Sequence, residues 1–481
     1  MRNHFPLYRG DLEYFCLGCA ARFNISELLY TCPACGSVLL LEDNHLALLR
    51  QKSGKAWQEL FDERAACKID ALRGIFRFYE LIAPVLDEED IIYLGEGNTP
   101  VIKANQALRK EIGLNFAIKN DGQNPSASFK DRGMACAFSY LQALARKRNW
   151  KEILTICAST GDTSASAALY ASYLGGPIKS VVLLPQGKVT PQQLGQPLGS
   201  GATVIELPGV FDDCMKVVEN LARNYRVALL NSKNAWRVLG QESYAYELAA
   251  WRNWDMRRLC VFVPIGNAGN ITAILNGFLK LRSLDIIDRL PRVFGVQSAH
   301  ADPVFRYYNS DQGFTPVQVR PSVAQAAMIG NPVSFPRVRR LAELYCSRYT
   351  PQAGEKAFQV VQVTEQEIMD CMLKANRHGH IICTQGGETL AGLRAALRHA
   401  LIAPDEFAVL DSTAHALKFA GFQQLYFDDA FPPEYEITPA HDLKNAPLSV
   451  FSAARKAGLP EEEYIQQAAL AVAATLGLVN R

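Results

Sequence analysis

Nothing in the 481-residue sequence approaches the roughly 20 consecutive apolar residues that a membrane-crossing helix needs, so no membrane partner is expected. The start of the chain, Met1-Arg2-Asn3-His4-Phe5-Pro6, lacks the apolar run of a secretory leader, and a cytoplasmic location is the expectation. An excess of either charge is lacking too: 50 Lys and Arg stand against 48 Asp and Glu, a net +2. That balance gives neither nucleic acid nor an anionic membrane a reason to bind. Internal repeats and low-complexity segments are missing as well. What is present is apolar substance, 49% of the residues, in a chain too long for one core. Two or more domains follow.

Cysteine is not scarce; there are twelve. Eight of them (67, 136, 157, 214, 260, 346, 371 and 383) stand singly, several inside apolar runs such as Leu259-Cys260-Val261-Phe262-Val263. Scattered buried thiols fit a reducing compartment better than a disulfide framework. The other four form Cys16-x2-Cys19-x12-Cys32-x2-Cys35, two knuckles with the spacing of a closed structural zinc site. Cys32-Pro33-Ala34-Cys35-Gly36 reads as the glycine-closed turn of a zinc ribbon, with a metal-free remnant as the alternative. Zinc ribbons often bind nucleic acid. Residues 11–43, however, carry five acidic side chains against one basic residue, Arg22, and would repel a phosphate backbone. The module is expected to be a structural appendage.

Beyond it, 46–90 is rich in Leu, Ala, Arg and Glu and reads as helical. From about residue 91 short β-rich runs alternate with helical patterns. The runs are 153–157, 181–184, 204–207, 227–230, 260–263, 293–296, 358–363 and 408–410. Thr364-Glu365-Gln366-Glu367 is a capping box that opens one helix, and Gly379 closes it. Alternation of this kind predicts an α/β fold with parallel sheets covered on both faces. The last 50 or so residues hold a proline-containing link and one Ala-rich helix, about 461–476.

Six segments carry chemistry. In Asn124-Pro125-Ser126-Ala127-Ser128-Phe129-Lys130-Asp131-Arg132-Gly133-Met134, a lysine follows small residues and a Phe and opens an apolar helix. A random lysine is usually a solvated charge. An amine that attacks an aldehyde needs partial desolvation, which this setting supplies. Ala158-Ser159-Thr160-Gly161-Asp162-Thr163-Ser164 leaves a strand and enters a helix, presenting N–H groups suited to a carboxylate or phosphate. Plain N-capping is the other reading of that loop. Pro264-Ile265-Gly266-Asn267-Ala268-Gly269-Asn270 lets backbone N–H groups curl round an anion at a helix start. It is neither a Walker loop nor a dinucleotide fingerprint. Leu410-Asp411-Ser412-Thr413-Ala414-His415-Ala416-Leu417-Lys418-Phe419 is a strand end with hydroxyls, either capping or functional. Its His415 reads as a satisfied histidine, not a catalyst. Asn231-Ser232-Lys233-Asn234-Ala235-Trp236-Arg237-Val238-Leu239-Gly240-Gln241-Glu242 offers a guanidinium that forks onto phosphate, a surface salt bridge being the alternative. Leu94-Gly95-Glu96-Gly97-Asn98-Thr99-Pro100 reads as a Gly/Pro turn.

In order and content these six segments closely resemble the threonine synthases, over about two-thirds of the chain from 94 to 419. That family shares a pyridoxal-5'-phosphate (PLP) fold with the tryptophan synthase β chain, cysteine synthases and serine/threonine dehydratases. The resemblance implies PLP fold type II, with two parallel-sheet α/β domains and the small zinc-ribbon-like module. It divides the chain into the module at 1–45, a large PLP-binding domain at 46–130 and 241–430, a smaller interposed domain at 131–240, and a tail at 431–481. Lys130 would bond the cofactor's aldehyde, and Gly266, Asn267, Ala268, Gly269 and Asn270 would cradle its phosphate. Asp162 would sit beside the cofactor's ring oxygen, the site of the proton being left open; the plant-type branch reads Gly-Asp-Thr there as this chain does. Thr413 would meet the ring nitrogen, with Asp411 as rival. Ser159, Thr160 and Thr163 would hold the substrate carboxylate, and Ser232 and Arg237 its phosphate. The loop at 94–100 matches the family's entry loop.

The resemblance implies conversion of O-phospho-L-homoserine and water to L-threonine and phosphate by a homodimer, Lys130 moving protons at Cα and Cβ. Dehydratases of this fold use a run of glycines where this chain has the Asn-bearing cradle. A dehydratase or cysteate synthase is nonetheless the nearest alternative, and a zinc-ribbon binding protein on a dead PLP scaffold the more distant one.

Overall fold

The computed structural model describes all residues except 1–4, 7, 160, 187–190, 210, 352–354 and 480–481. Its strands are β1 (Leu12–Cys16), β2 (Arg22–Asn24), β3 (Leu39–Asp43), β4 (Val101–Lys103), β5 (Asn115–Asn120), β6 (Ile153–Ala158) and β7 (Ile178–Pro185). After these come β8 (Thr203–Leu207), β9 (Val227–Leu229), β10 (Leu259–Pro264), β11 (Arg292–Ser298), β12 (Phe358–Val363) and β13 (Phe407–Ser412). They form three sheets, ordered β2-β1-β3, β12-β11-β10-β13-β5-β4 and β8-β7-β6-β9. The first is antiparallel. The third is parallel throughout, and so is the second except for its edge strand β4.

All eight β-rich runs are strands, and the intervening helices cover both faces as parallel sheets require. Two strands of the large sheet escaped the sequence reading. β4 is three residues long, and β5 carries the fully buried Lys119 as its last residue but one, which cuts an apolar run to three residues. The segment 46–90 is only partly α-helical: Gly54–Ala65 and Tyr79–Ile82 are α, while Asp70–Arg73 and Ile75–Phe78 are 3₁₀ turns on either side of Gly74. The capping box at Thr364 is formed, with Gly379 in the left-handed region (φ +82°) just past the helix end. The helix Glu461–Leu476 buries none of its residues. Among the described residues no helix is long and apolar enough to cross a membrane.

The cysteine module, expected as a structural appendage, is packed into the main core. Leu12, Tyr14, Leu39 and Leu41 of its sheet belong to the same apolar core as Phe138, Trp236 and Leu239. The helices of the main body are therefore continuous with it.

The topology sets where a ligand can sit. β10, β13 and β5 are neighbours at the centre of the large sheet, and their carboxyl ends lead into 264–270, 413–419 and 121–130. β6 and β9, neighbours in the small sheet, lead into 159–162 and 230–234. Open parallel sheets bind ligands outside their strands' carboxyl ends. Five of the six segments singled out in the sequence thus start at strand ends facing one region.

Candidate active site

Lys130 begins the helix Lys130–Lys147. The turn before it is tied to the end of β13: Phe129 N–H donates to the Thr413 carbonyl at 2.8 Å, His415 N–H donates to the Ala127 carbonyl at 3.1 Å, and Ser128 and Ala414 form an antiparallel bridge. Ala127 takes a left-handed backbone (φ +62°), a conformation a non-glycine residue holds only when its surroundings impose it. Below the lysine, the fully buried Arg132 donates to Asp121 and Glu247, and Lys119 donates to Glu247 at 2.7 Å. Two cations meet two anions there, so the helix start is anchored without net buried charge.

A single cavity is lined by Phe129, Lys130, Asp162, Ser232, Arg237, Val238, Gln241, Pro264, Gly266–Asn270, Ala326, Ala327, Gln385 and Thr413. The structure therefore brings together Lys130, the whole 266–270 loop, Asp162, Thr413, Ser232 and Arg237. Ser159, in the loop, and Thr163, in the first turn of the helix Asp162–Leu174, are half-buried and outside the lining, and Thr160 falls outside the described residues. Asp411, the rival to Thr413, is buried behind the cavity and accepts from Asn270 Nδ2 at 2.7 Å. Burial, then the charge of Asp121, pushes its carboxyl well above the usual range. His415 caps the turn Ala416–Phe419 by accepting from Leu417 N–H, a satisfied histidine as expected.

The electrostatics of the cavity are those of an amine kept reactive. Desolvation first, then the Arg237 and Lys418 charges, push the Lys130 ammonium down to about 7. Lys130 lines the cavity, with its Nζ 4.1 Å from the Phe129 ring centroid. Arg237 is 2% exposed, gives one N–H to the Leu230 carbonyl at 2.7 Å, and leaves Nε without a partner. Burial pushes it down to about 10. No carboxylate pairs with it among the described residues, so the cavity presents a buried cation that no acidic side chain neutralises.

Whether these residues suit the cofactor can be judged from the loop after β10. A Cβ on Gly266 would stand 2.9 Å from Ala327 Cα and 3.0 Å from the Ala326 carbonyl, so only glycine lets the loop pass. Ala268 is again left-handed (φ +63°), turning the chain into the helix Gly269–Ser283. An amine near neutrality, a helix start under a curled loop and an unpartnered guanidinium fit PLP and a second anion.

Sequence reasoning missed Gln385. It is 2% exposed, sits in the first turn of the helix Thr384–Arg398, and neither of its amide atoms has a partner. Nothing in Cys383-Thr384-Gln385-Gly386-Gly387 distinguishes it from an ordinary helix start. Lys418, quoted in its segment without a role, lies 2.9 Å from Asp162.

A family model described as pyridoxal-phosphate dependent enzyme matches residues 92–410, and the chain belongs to that family. More narrowly, it is a member of the threonine synthases. It is 35% identical over 407 residues to the threonine synthase of Methanocaldococcus jannaschii, covering 84% of this chain and 92% of that one. It is 33% identical over 401 residues to threonine synthase 2, chloroplastic, of Arabidopsis thaliana, covering 82% and 74%. The structure of threonine synthase from Escherichia coli superposes with a TM-score of 0.61 at 19% identity, over 93% of this chain and 95% of the other, a likeness of fold.

Proposed function

We propose that the chain converts O-phospho-L-homoserine and water to L-threonine and phosphate, with Lys130 as the cofactor lysine. One observation carries the choice of a phosphorylated substrate: Arg237 is a buried guanidinium without an acid partner, in the cavity that holds Lys130. PLP, when bound, would supply an electron sink for charge at Cα and Cβ, so that C–H bonds at those carbons and the Cγ–O bond to phosphate can break.

The chain's own residues do the rest. Backbone N–H groups of 266–270 would hold the cofactor phosphate, with Thr413 toward the ring nitrogen and Asp162 toward the ring oxygen. Ser159, Thr160 and Thr163 take the substrate carboxylate. Arg237, with Ser232, binds the γ-phosphate through a fork of N–H donors and stabilises it as it leaves. The Lys130 amine, pushed to about 7, is matched at neutral pH to take protons from Cα and Cβ as the γ-phosphate leaves and to return protons to Cγ and Cα. Water then adds at Cβ.

The four N-terminal cysteines bring their sulfurs within 4.8 Å of one another, a set that can hold a metal, and we assign zinc from its preference for four thiolates. The domain boundaries at 45, 130, 240 and 430 belong to the same reading. Those at 130 and 240 are supported by strands β6 to β9 pairing only with one another among the described residues. A cytoplasmic homodimer completes it.

The test is phosphate release from O-phospho-L-homoserine by the purified protein, with L-serine and L-threonine as controls. Deamination of the latter two without phosphate release would overturn the reading. Lys130→Ala should abolish turnover and the near-visible absorption of the lysine-bound cofactor; a coloured, active variant sinks the lysine assignment.

A further inference from the structure

Arg337 lies in the helix Phe335–Arg348, fully buried, and every one of its N–H groups is engaged. Nε and Nη2 donate to the Leu39 carbonyl at 2.9 and 2.6 Å. Nη1 donates to the Ser232 carbonyl at 2.8 Å and to Ser334 Oγ at 2.9 Å, and Nη2 donates to the Lys233 carbonyl at 2.8 Å. All these partners are neutral, and burial pushes the guanidinium down to about 9. A cation buried among carbonyls persists only if its hydrogen bonds are complete, so the five bonds hold their partners in fixed positions. Leu39 is the first residue of β3, in the cysteine module. Ser232 is in the candidate anion site. Ser334, on the same turn, also donates its N–H to the Asn267 carbonyl of the loop after β10 at 3.2 Å.

A second strand of the module reaches the other end of the same segment. Trp236 Nε1 donates to the hydroxyl of Tyr14, in β1, at 3.1 Å. The Trp236 ring stacks on Tyr140 with centroids 4.0 Å apart. Trp236 directly precedes Arg237 in the helix Ala235–Gln241, which Asn234 caps. One module strand thus fixes the backbone at 232–233 and the other the helix at 236.

We propose that the cysteine module is part of the anion site: through Arg337 and Trp236 it sets the position of Ser232 and Arg237. Arg337 and Tyr14 are positioning residues on this account. The inference rests on the reading of Ser232 and Arg237 as binding the substrate phosphate. It gives the module a task in catalysis that a mere appendage would not have.

The test uses the holoenzyme of Arg337→Met, with amide hydrogen exchange and calorimetric binding of inorganic phosphate as readouts. Exchange at 230–238 should speed up and phosphate affinity fall, each by about tenfold, while the cofactor absorption is kept. In turnover KM should rise more than kcat falls. Tyr14→Phe removes the Trp236 hydrogen bond together with the longer one that Tyr14 donates to the Tyr140 hydroxyl at 3.5 Å, and should give the same pattern at about threefold, which keeps the question open to test if Arg337→Met does not fold. Unchanged exchange at 230–238 in a folded variant overturns the proposal, and so does faster exchange with unchanged phosphate affinity. Wild-type protein that binds no phosphate would instead sink the anion reading, with the exchange data still deciding whether the module holds the segment.

Discussion

The Lys418 ammonium lies 2.9 Å from the Asp162 carboxylate and also donates to the Ser126 carbonyl at 2.9 Å. It therefore joins three segments: the turn after β13, the helix start after β6, and the loop that delivers Lys130. Lys130 is faced by Arg237, Asp162, Lys418 and Asp411, and Asp162 also by the Cys383 thiol. With Lys418 holding Asp162, the carboxylate is less free to pair with Lys130. Replacing Lys418 by Met removes a repelling cation and frees Asp162, and both changes favour the Lys130 ammonium. The pH midpoint for reloading cofactor-free protein with PLP, followed by absorbance, should rise by about one unit in Lys418→Met. Asp162→Asn should move it down. A midpoint unmoved in both variants would refute this account.

Arg237→Ala should lower kcat/KM for O-phospho-L-homoserine on the order of a hundredfold, since it removes a charge-assisted fork to the phosphate. Arg237→Lys should rescue little of it, because an ammonium cannot form the fork. Steady-state kinetics of phosphate release decides both.

The Lys119–Glu247–Arg132–Asp121 cluster makes a stability prediction with a sign. Burial alone would raise the Glu247 carboxyl, but the charges of Arg132 and Lys119 outweigh it and hold the group well below the usual range. A depressed carboxyl contributes stability above its unfolded pKa of about 4.3, and that contribution is lost as pH falls toward the folded value. Glu247→Gln should cost about 3–5 kcal/mol at neutral pH in urea unfolding, with a shallower loss on acidification than wild type.

The four thiols can be tested by metal analysis. About one zinc per chain is expected, lost in Cys16→Ser and Cys32→Ser, with a lower melting temperature after chelation. A metal-free protein with an unchanged melting temperature would favour a remnant.

Much of this was legible beforehand because the chemistry sits at strand ends, where local signals are strong. A strand followed by Gly266-Asn267-Ala268-Gly269 or by Ser159 needs no distant partner to be read as an anion-binding turn. What escaped depends on contacts remote in sequence. Gln385 is an ordinary amide until the fold aims it, unpartnered, into the cavity. Arg337 lies 298 residues from the Leu39 carbonyl it binds, and a buried arginine among carbonyls has no sequence signature. How the module packs is not legible, because its spacing speaks of metal and says nothing of Tyr14 and Leu39, whose burial joins it to the core. β5 was missed because Lys119, polar in composition, is apolar in its stem and paired at its tip.

The bridge between Ser128 and Ala414 also bears on the order of events during synthesis. Residue 414 follows residue 128 by 286 positions. At about 5–20 residues per second, roughly 15 to 60 s separate the emergence of the two from the ribosome. Throughout that interval the turn that aims Lys130 lacks its partner, and the central strand β13 is not yet in the large sheet. Cofactor capture is therefore a late step, and nascent chains ending before 414 should remain colourless however much of the sheet they have formed.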